Sequence, residues 1–288
     1  MSGQSALRER AALLEELRQI VQAMKNIAFA ELQRVTHLVP ANELATDAVL
    51  QALRSLAQES APPSAPLRAD APVGWLVIGA ERGFCGAFND RLVQEAQALG
   101  REGKKLRLLI AGTRLGELLG AQARGVVVLP GCAAIEDAET VLDAWLAAVA
   151  QEAARCDEFW LLHTGEGAMV RRRLLPMPAN APPETHAKTS DAPLHYLSVP
   201  ALRLALVQQA LRLALQGGLF VSLKQEHRWR LAQMQRAQDH LDELGQTLRR
   251  RRAALRQTEI TNEQETLMSS LSGVNLQHPQ SPLAMPGL

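Results

Sequence analysis

The chain has 288 residues, a formal net charge of +1 and three cysteines that lie far apart. The near-neutral charge argues against a chain built to bind nucleic acid or anionic membrane, and isolated cysteines argue against a zinc ribbon or a disulfide framework. Apolar residues make up 47% but aromatic residues only 3%, and Ala, Leu, Gln, Arg and Glu are abundant, which is typical of proteins with long helices.

Residues 1–60 are predicted to form one long helix. Apolar side chains recur in alternating steps of three and four residues, the pattern of a coiled-coil seam. Pro40 should kink this helix without ending it. The segment APPSAPLRADAP, residues 61–72, is predicted to be a proline-rich linker. The seam residues are Leu14, Leu17, Val21, Met24, Ala28, Leu32 and Val35.

Residues 73–197 have a different pattern. Short apolar runs alternate with stretches of helical period, and strands that alternate with helices predict a helix-covered parallel sheet. We therefore expect a Rossmann-like α/β domain here. The four runs are GWLVIGA (74–80), LRLLIAG (106–112), VVVLP (126–130) and EFWLLHT (158–164).

The segment RGFCGAFNDRL, residues 82–92, follows the first of these runs and invites comparison with a phosphate-binding loop. Such loops carry further glycines or a Gly-Lys-Ser/Thr step, which are missing here. Cys85 as a nucleophile would need a nearby histidine, and neither His163 nor His195 has a motif around it. We expect a structural turn made by Gly83, Cys85, Gly86 and Asn89, with Phe84, Cys85 and Phe88 filling space beneath the sheet. No catalytic, cofactor-binding or metal-binding residue is predicted.

Residues 198–273 are predicted to form a second long helix, in which apolar side chains recur every seven residues at 234, 241, 248 and 255. Gln238, Gly245 and Arg252 stand at the intervening seam positions, so this seam is too poor to pair with itself. The simplest way to bury both stripes is to pair the two ends of the chain, antiparallel, with the α/β domain at one end. The segment 274–288, with three prolines, cannot extend the helix and is predicted to be an extended, disordered tail.

The N-terminus lacks the apolar region of a secretory signal. No stretch approaches the ~20 uninterrupted apolar residues that a membrane-spanning helix needs. The best candidate, 202–223, is interrupted by Arg203, Arg212 and several glutamines. We expect no direct membrane span.

Three separated segments resemble the gamma subunit of F-type ATP synthases, the central rotor shaft. IVQAMKNIAFAEL (20–32) matches that family's AMK segment, the glycine turn at 83–89 matches its GLCGGFN loop, and SLKQEHRWRLAQM (222–234) matches its SLASEH segment. Residues 256–263 then match its RQAxIT segment. The acidic pair Glu15-Glu16, His240 and the added tail depart from the family pattern, which suggests a divergent member of an alternative, second type of the complex, the N-type branch.

The resemblance implies a non-catalytic subunit without cofactors, which couples ion-driven rotation to ATP synthesis or hydrolysis in the catalytic head. Its implied partners are the alpha and beta subunits, the epsilon subunit and the membrane c-ring, at the cytoplasmic side of a bacterial inner membrane. The implied candidates for contact between the shaft and the surrounding subunits are Met24, Lys25, Arg249, Arg250, Arg251, Arg252, Arg256, Gln257, Thr261 and Glu263.

Arg249–Arg252 are the sharpest charge feature of the chain. Consecutive helical residues advance by about 100°, so these four arginines encircle the helix rather than line one face. A solvated helix surface would explain them, but the resemblance favours a positive collar that meets acidic loops of the catalytic subunits.

Two other classes of function stay open at this point. The α/β domain could be a nucleotide-dependent enzyme with helical arms, or the chain could be a coiled-coil protein that binds nucleic acid. The second alternative is disfavoured because the charge is near neutral and no aromatic stacking platform is evident.

Overall fold

The computed structural model describes residues 3–59, 71–101, 105–120, 126–177 and 196–274. Most of the predicted linker 61–72, and all but the first residue of the predicted tail 274–288, lie outside these residues. The elements in chain order are α1 (Gly3–Glu59), β1 (Val73–Ile78), α2 (Phe88–Gly100), β2 (Leu106–Ala111), α3 (Thr113–Gly120), β3 (Val127–Leu129), a short 3-10 helix (Ile135–Asp137), α4 (Ala138–Ala153), β4 (Glu158–Thr164), β5 (Met169–Leu175) and α5 (Val199–Val274).

The chain divides into two compact units, one of residues 1–22 with 236–288 and the other of residues 23–235. Both boundaries fall inside the long helices α1 and α5. The larger unit therefore holds the α/β elements together with the middle parts of both helices.

The larger unit is built on a five-stranded sheet in the order β3-β2-β1-β4-β5. Strands β1 to β4 run parallel, with Trp75 of β1 opposite Leu108 of β2 and Trp160 of β4. Trp75 and Trp160 stack with ring centroids 5.6 Å apart. The order β3-β2-β1-β4 is that of a doubly wound, Rossmann-type sheet.

Alternate residues of the strands point to opposite faces of the sheet, because side chains in a strand have a period of two. One face carries Leu76, Leu109 and Leu161, and is covered by α4 and by apolar residues of α5. The other face carries Val77 and Ile110, and is covered by α2 and α3. The fully buried runs of β1 and β4 reflect helices on both sides.

Strand β5 was not among the predicted strands, although three consecutive arginines, Arg171–Arg173, follow the last apolar run in the sequence. These arginines lie within β5, which pairs antiparallel with β4. Arg171 binds Glu95 of α2 at 2.7 Å and lies 5.9 Å from the ring centroid of Trp75. Three consecutive arginines interrupt the apolar pattern of this strand, so hydropathy alone does not indicate it.

Both long helices continue through residues that weaken helices. Pro40 lies inside α1, and Gly217 and Gly218 lie inside α5. A Cβ on Gly217 would lie 2.7 Å from Nδ2 of Asn42, and one on Gly218 would lie 2.5 Å from Cδ2 of Leu161. The two glycines therefore let α5 approach α1 and the sheet closely.

Helix α5 contains an 18-residue window of mean hydropathy 1.3, of which 39% is buried, and it passes a length and composition test for membrane spans. Core helices of globular units pass the same test. Leu215, Leu219, Phe220 and Leu223 of α5 are buried in the core on one face of the sheet. This packing accounts for the apolar character of the segment, and the absence of a direct span stays a prediction.

The two helices pair antiparallel within each unit. In the smaller unit Nε of Arg18 lies 3.4 Å from Oδ1 of Asp242, and Nε2 of Gln238 donates to Oε1 of Gln22 at 3.2 Å. In the larger unit Arg203 reaches the carbonyl oxygen of Leu56 at 3.3 Å. Together with the α/β sheet, this pairing confirms the predicted fold class.

Candidate functional site

The carboxyl ends of the parallel strands are where a doubly wound sheet would bind a ligand, at the point where strand order reverses. In this sheet that point lies between β1 and β4. The segment after β1 holds the glycine turn singled out from the sequence. Glu166 follows β4 and is bound by Lys224 at 2.8 Å and Arg228 at 3.1 Å, both from α5. Helix α5 therefore passes along this edge.

The glycine turn is held by backbone geometry and one amide. Gly86 has φ 58°, a conformation that glycine adopts at little cost. Oδ1 of the buried Asn89 accepts a hydrogen bond from the backbone N–H of Ala80 at 3.0 Å, which fixes the start of α2 against the end of β1. Cys85 and Phe88 are buried in the core on the α2 side.

The prediction for Phe84 was wrong. Its side chain is 65% exposed and its φ is 63°. A bulky residue in this left-handed region is uncommon and strained. The turn therefore points Phe84 outward instead of using it to fill the space beneath the sheet.

Beneath the turn lie three ionisable side chains from one stretch of α5: Glu226, His227 and Arg230, each at most 7% exposed. Arg230 is hydrogen-bonded to the Glu226 carboxylate and donates to Nδ1 of His227 at 3.0 Å. It also donates to the carbonyl oxygens of Gly83 at 3.3 Å and Arg82 at 3.5 Å. One guanidinium thus joins the turn to α5.

Burial dominates the electrostatics of this cluster. Burial raises the pKa of Glu226 to about 7, against the opposing charge of Arg230. Burial, followed by the charges of Arg230 and Arg82, lowers the pKa of His227 to about 4. Burial also raises the pKa of Cys85 to about 11, so its thiol stays protonated and is a poor nucleophile.

A second carboxylate occupies the place where an anion would bind. Oε2 of Glu81 accepts hydrogen bonds from the backbone N–H groups of Thr113 at 2.8 Å and Gly131 at 3.0 Å, and Oε1 accepts one from the Thr113 hydroxyl at 2.7 Å. Thr113 begins α3, and a helix N-terminus attracts negative charge. The chain's own carboxylate therefore occupies the place that an external anion could take at this helix N-terminus.

The sequence did not single out Glu81, Glu226 or Arg230 as partners of the turn. Glu226 and Arg230 lie in the SLKQEHRWRLAQM segment, so the motif was found but not its contact. Their spacing of four residues on a helix was the available signal, because it allows an ion pair. Among the described residues, no group of three or more His, Cys, Asp or Glu could hold a metal ion.

The predicted contact residues are divided between the two units. Met24 and Lys25 belong to the larger unit and are both half-buried, and Nζ of Lys25 donates to Oε1 of Gln235 at 2.5 Å. The remaining candidates lie on α5 in the smaller unit, and all of them are exposed: Arg249, Arg250, Arg251, Arg252, Arg256, Gln257, Thr261 and Glu263.

The arginine collar of the smaller unit is uneven around the helix. Arg249 and Arg252 line a groove of about 230 Å³ next to Glu15 and Arg18 of α1. With Arg256 they line a second groove of about 240 Å³. Arg250 and Arg251 line neither groove, so this half of the collar faces away from α1.

Long terminal helices that pair antiparallel within each unit, with a small doubly wound sheet in the larger unit, define a class of α/β proteins with paired terminal helices. The sequence profile of the ATP synthase family matches residues 4–272 of this chain. The ATP synthase gamma chain of Saccharopolyspora erythraea is 25% identical over 297 residues, covering 93% of this chain and 96% of the relative. That of Thermosynechococcus vestitus is 31% identical over 126 residues, covering 41% and 40%.

Solved structures show the same fold. A chain from the cryo-EM structure of the Euglena gracilis mitochondrial ATP synthase (OSCP/F1/c-ring, rotational state 3) is 13% identical with a TM-score of 0.58, over 98% of both chains. A chain from the Tetrahymena thermophila mitochondrial ATP synthase (central stalk/c-ring) is 16% identical with a TM-score of 0.54, over 76% of this chain and 99% of that one. This chain belongs to the ATP synthase gamma family, as a divergent member. It is the gamma subunit of a rotary ATP synthase, and thus part of a membrane-associated complex.

Proposed function

We propose that this gamma subunit is a non-catalytic shaft that turns inside the ring of alpha and beta subunits. The observation that carries the proposal is the pairing of α1 and α5 in the smaller unit into a rod whose sides differ in chemistry. Helix α1 exposes Leu13, Leu17 and Ile20, whereas α5 exposes the collar Arg249–Arg252 with Leu244 and Leu255 on either side of it.

A rod with unequal sides can act without catalysis. Three catalytic sites around it meet three different surfaces, and a ligand shifts a conformational equilibrium only by binding one state better than another. The apolar side and the basic side would therefore favour different states of the neighbouring catalytic subunits. Rotation passes each state to the next site.

The remaining parts of the proposal concern the partners and the location. The relatives of known structure come from assemblies described as central stalk with c-ring and as F1 with c-ring. By analogy we place the epsilon subunit and the c-ring among the partners of this chain, and the chain peripherally on the cytoplasmic side of a bacterial inner membrane. Its membership of the N-type branch stays a prediction.

The proposed absence of catalysis is supported by the chain's own side chains, which occupy the carboxyl edge of the parallel strands. Glu81 occupies the anion position at α3, and Arg230 and Glu226 of α5 lie beneath the glycine turn. A nucleotide would have to displace both. Calorimetric titration of the full chain with ATP and with ADP should show only heat of dilution, and saturable binding would favour the enzyme alternative.

The charge of the collar offers a test of the shaft itself. The chain is co-expressed with its alpha and beta subunits, either unchanged or with the double substitution R250E/R251E. Reversed charge should weaken assembly at low salt and slow the ATPase of what assembles, because complementary charges steer association.

The matched control is R54E/R101E, which reverses two exposed arginines of the larger unit. If both double variants assemble and hydrolyse ATP like the unchanged chain, the collar is only solvated surface. If the control alone is impaired, the contact has been placed on the wrong part of the chain.

A further inference from the structure

Glu226, His227 and Arg230 form a buried cluster beneath the glycine turn, and burying its charged groups costs folding free energy. Burying a charge is unfavourable unless it is paired and hydrogen-bonded. Glu226 is 4% exposed and Arg230 is 7% exposed, and they belong to one turn of α5. Their attraction offsets part of that cost only while both are charged.

Arg230 has little freedom in this arrangement. A guanidinium carries five N–H donors in a rigid plane, and those of Arg230 go to the Glu226 carboxylate, to Nδ1 of His227 and to two carbonyl oxygens of the turn. Because Nδ1 of His227 accepts, the neutral imidazole carries its proton on Nε2. Among the described residues that Nε2 has no hydrogen-bond partner.

The segment 82–88 needs such an external support. Phe84 has a φ of 63°, and a strained backbone conformation of this kind in a bulky residue persists only where the surroundings impose it. Arg230 holds the carbonyl groups of Arg82 and Gly83, directly before Phe84. The outward position of Phe84 therefore depends on Arg230, and Arg230 depends on its counter-charge.

The ionisable groups that face Glu226 come from three elements. Arg230 and His227 lie on α5; Glu81, Arg82 and Cys85 lie on the segment after β1; and Cys132 follows β3. The pKa of His227 is about 4, and burial raises the pKa values of Cys85 to about 11 and Cys132 to about 12, so these three groups are neutral between pH 6 and 8. Burial raises the pKa of Glu81, but the hydrogen bonds that its carboxylate accepts outweigh burial and lower that pKa below its usual value. Glu81 therefore stays ionised between pH 6 and 8. Among these groups it is Glu226 whose pKa, raised by burial to about 7, lies within this range.

We propose that Glu226 and Arg230 form a proton-sensitive latch for the segment 82–88: the ionised carboxylate holds Arg230 on the turn, and protonation of that carboxyl group lets the turn and Phe84 move. The latch needs no partner subunit, so the full chain alone can be used to test it.

Trp229 provides the probe. Its ring packs against the core on the α2 side, and a Cβ placed on Gly86 would lie 3.6 Å from its Cε3 atom. The full chain is labelled with 5-fluorotryptophan, and the resonance of Trp229 among the four tryptophans is assigned with the W229F variant. Its ¹⁹F chemical shift is followed from pH 5.5 to 8.5.

The expected result is a titration of the Trp229 resonance with a midpoint near 7, the pKa of Glu226. E226Q removes the charge at nearly unchanged shape and should abolish the titration, leaving the resonance near its low-pH position. E166Q is the matched control: it removes an exposed carboxylate that α5 also binds, and the midpoint should stay. H227Q should keep a titration as well.

Two outcomes would overturn the latch: a Trp229 resonance that does not move over this range in the unchanged chain, and an E226Q variant that titrates like the unchanged chain. If E226Q does not fold, E226D keeps the charge on a shorter side chain. It should still titrate but with a displaced midpoint, and an unchanged midpoint would count against the latch.

Discussion

The carboxylate of Glu81 accepts a hydrogen bond from the backbone N–H of Thr113 at 2.8 Å, where α3 begins, and another from the backbone N–H of Gly131 at 3.0 Å. One side chain thus ties together the segments that follow β1, β2 and β3. These segments form the edge of the sheet that other doubly wound proteins keep open for a ligand. In this gamma subunit the edge is closed by the chain itself.

Replacing Glu81 by Gln should destabilise the chain by about 1–3 kcal/mol, because a neutral amide accepts weaker hydrogen bonds and brings an unpaired N–H₂ group. Urea unfolding of the full chain measures the change. E117Q is the control, since Glu117 is an exposed residue of α3 whose partner is Arg114. Equal stability of both variants would show that Glu81 is an ordinary surface group.

Glu81 should also give the chain a stability that depends on pH. Burial raises its pKa, but the hydrogen bonds from Thr113 and Gly131 outweigh burial and hold the pKa below the ordinary 4.5. A carboxyl group whose pKa is lowered on folding contributes stability above 4.5, which is lost as the pH falls through the folded value. The loss of unfolding free energy on acidification below this pH should be smaller in E81Q.

The contributions of Glu226 and His227 to the free energy of unfolding should change with pH in opposite directions. The pKa of Glu226 rises on folding from 4.5 to about 7, so its contribution to stability falls as the pH rises through that window. The pKa of His227 falls on folding from 6.5 to about 4, so its contribution is lost as the pH falls through that window. In the unchanged chain the two effects largely cancel between pH 4.5 and 6.5.

Single substitutions should separate these two pH dependences of the free energy of unfolding. In H227Q the free energy of unfolding should increase as the pH falls from 7 to 4.5, and in E226Q it should decrease as the pH falls from 6.5 to 4. Urea unfolding at a series of pH values measures both. The same slope in the two variants would contradict the burial assigned to these groups.

Alanine at two glycines of α5 should have opposite effects. At Gly245 nothing lies within 4 Å of an added Cβ, so G245A should stabilise the chain by about 0.5–1 kcal/mol through helix propensity. At Gly218 the added Cβ would lie 2.5 Å from Leu161, and overpacking should cost about 1–3 kcal/mol. Thermal unfolding of G245A and G218A measures both changes. If helix propensity alone mattered, both variants would be more stable than the unchanged chain.

The three cysteines should differ in reactivity. Cys85 and Cys132 are buried, whereas Cys156 is partly exposed, and burial raises the pKa of all three. Brief treatment with a maleimide at neutral pH should therefore modify Cys156 first, and peptide mass spectrometry identifies the site. Fast modification of Cys85 would mean that the glycine turn opens far more often than its contacts with Arg230 allow.

Much of the fold followed from sequence patterns. Alternation of apolar runs with helical stretches predicted the sheet at 73–197, and the runs at 74–80 and 158–164 became β1 and β4 within two residues. Heptad spacing predicted both long helices. Such patterns are local, because a strand or a helix shows its period in its own residues. Strand β5 was not predicted, because Arg171–Arg173 break its apolar pattern.

The sequence by itself also determined the family, through three separated segments in the right order, and it placed the glycine turn at the end of the first strand. Only the tertiary structure decided what the turn contacts. Glu226 and Arg230 lie more than a hundred residues from the turn in the chain, and no local pattern records that they meet it. The position of Phe84 was likewise decided by backbone dihedral angles that composition does not reveal. Contacts between distant segments arise from packing, and packing fixes both the burial of a charge and its pKa.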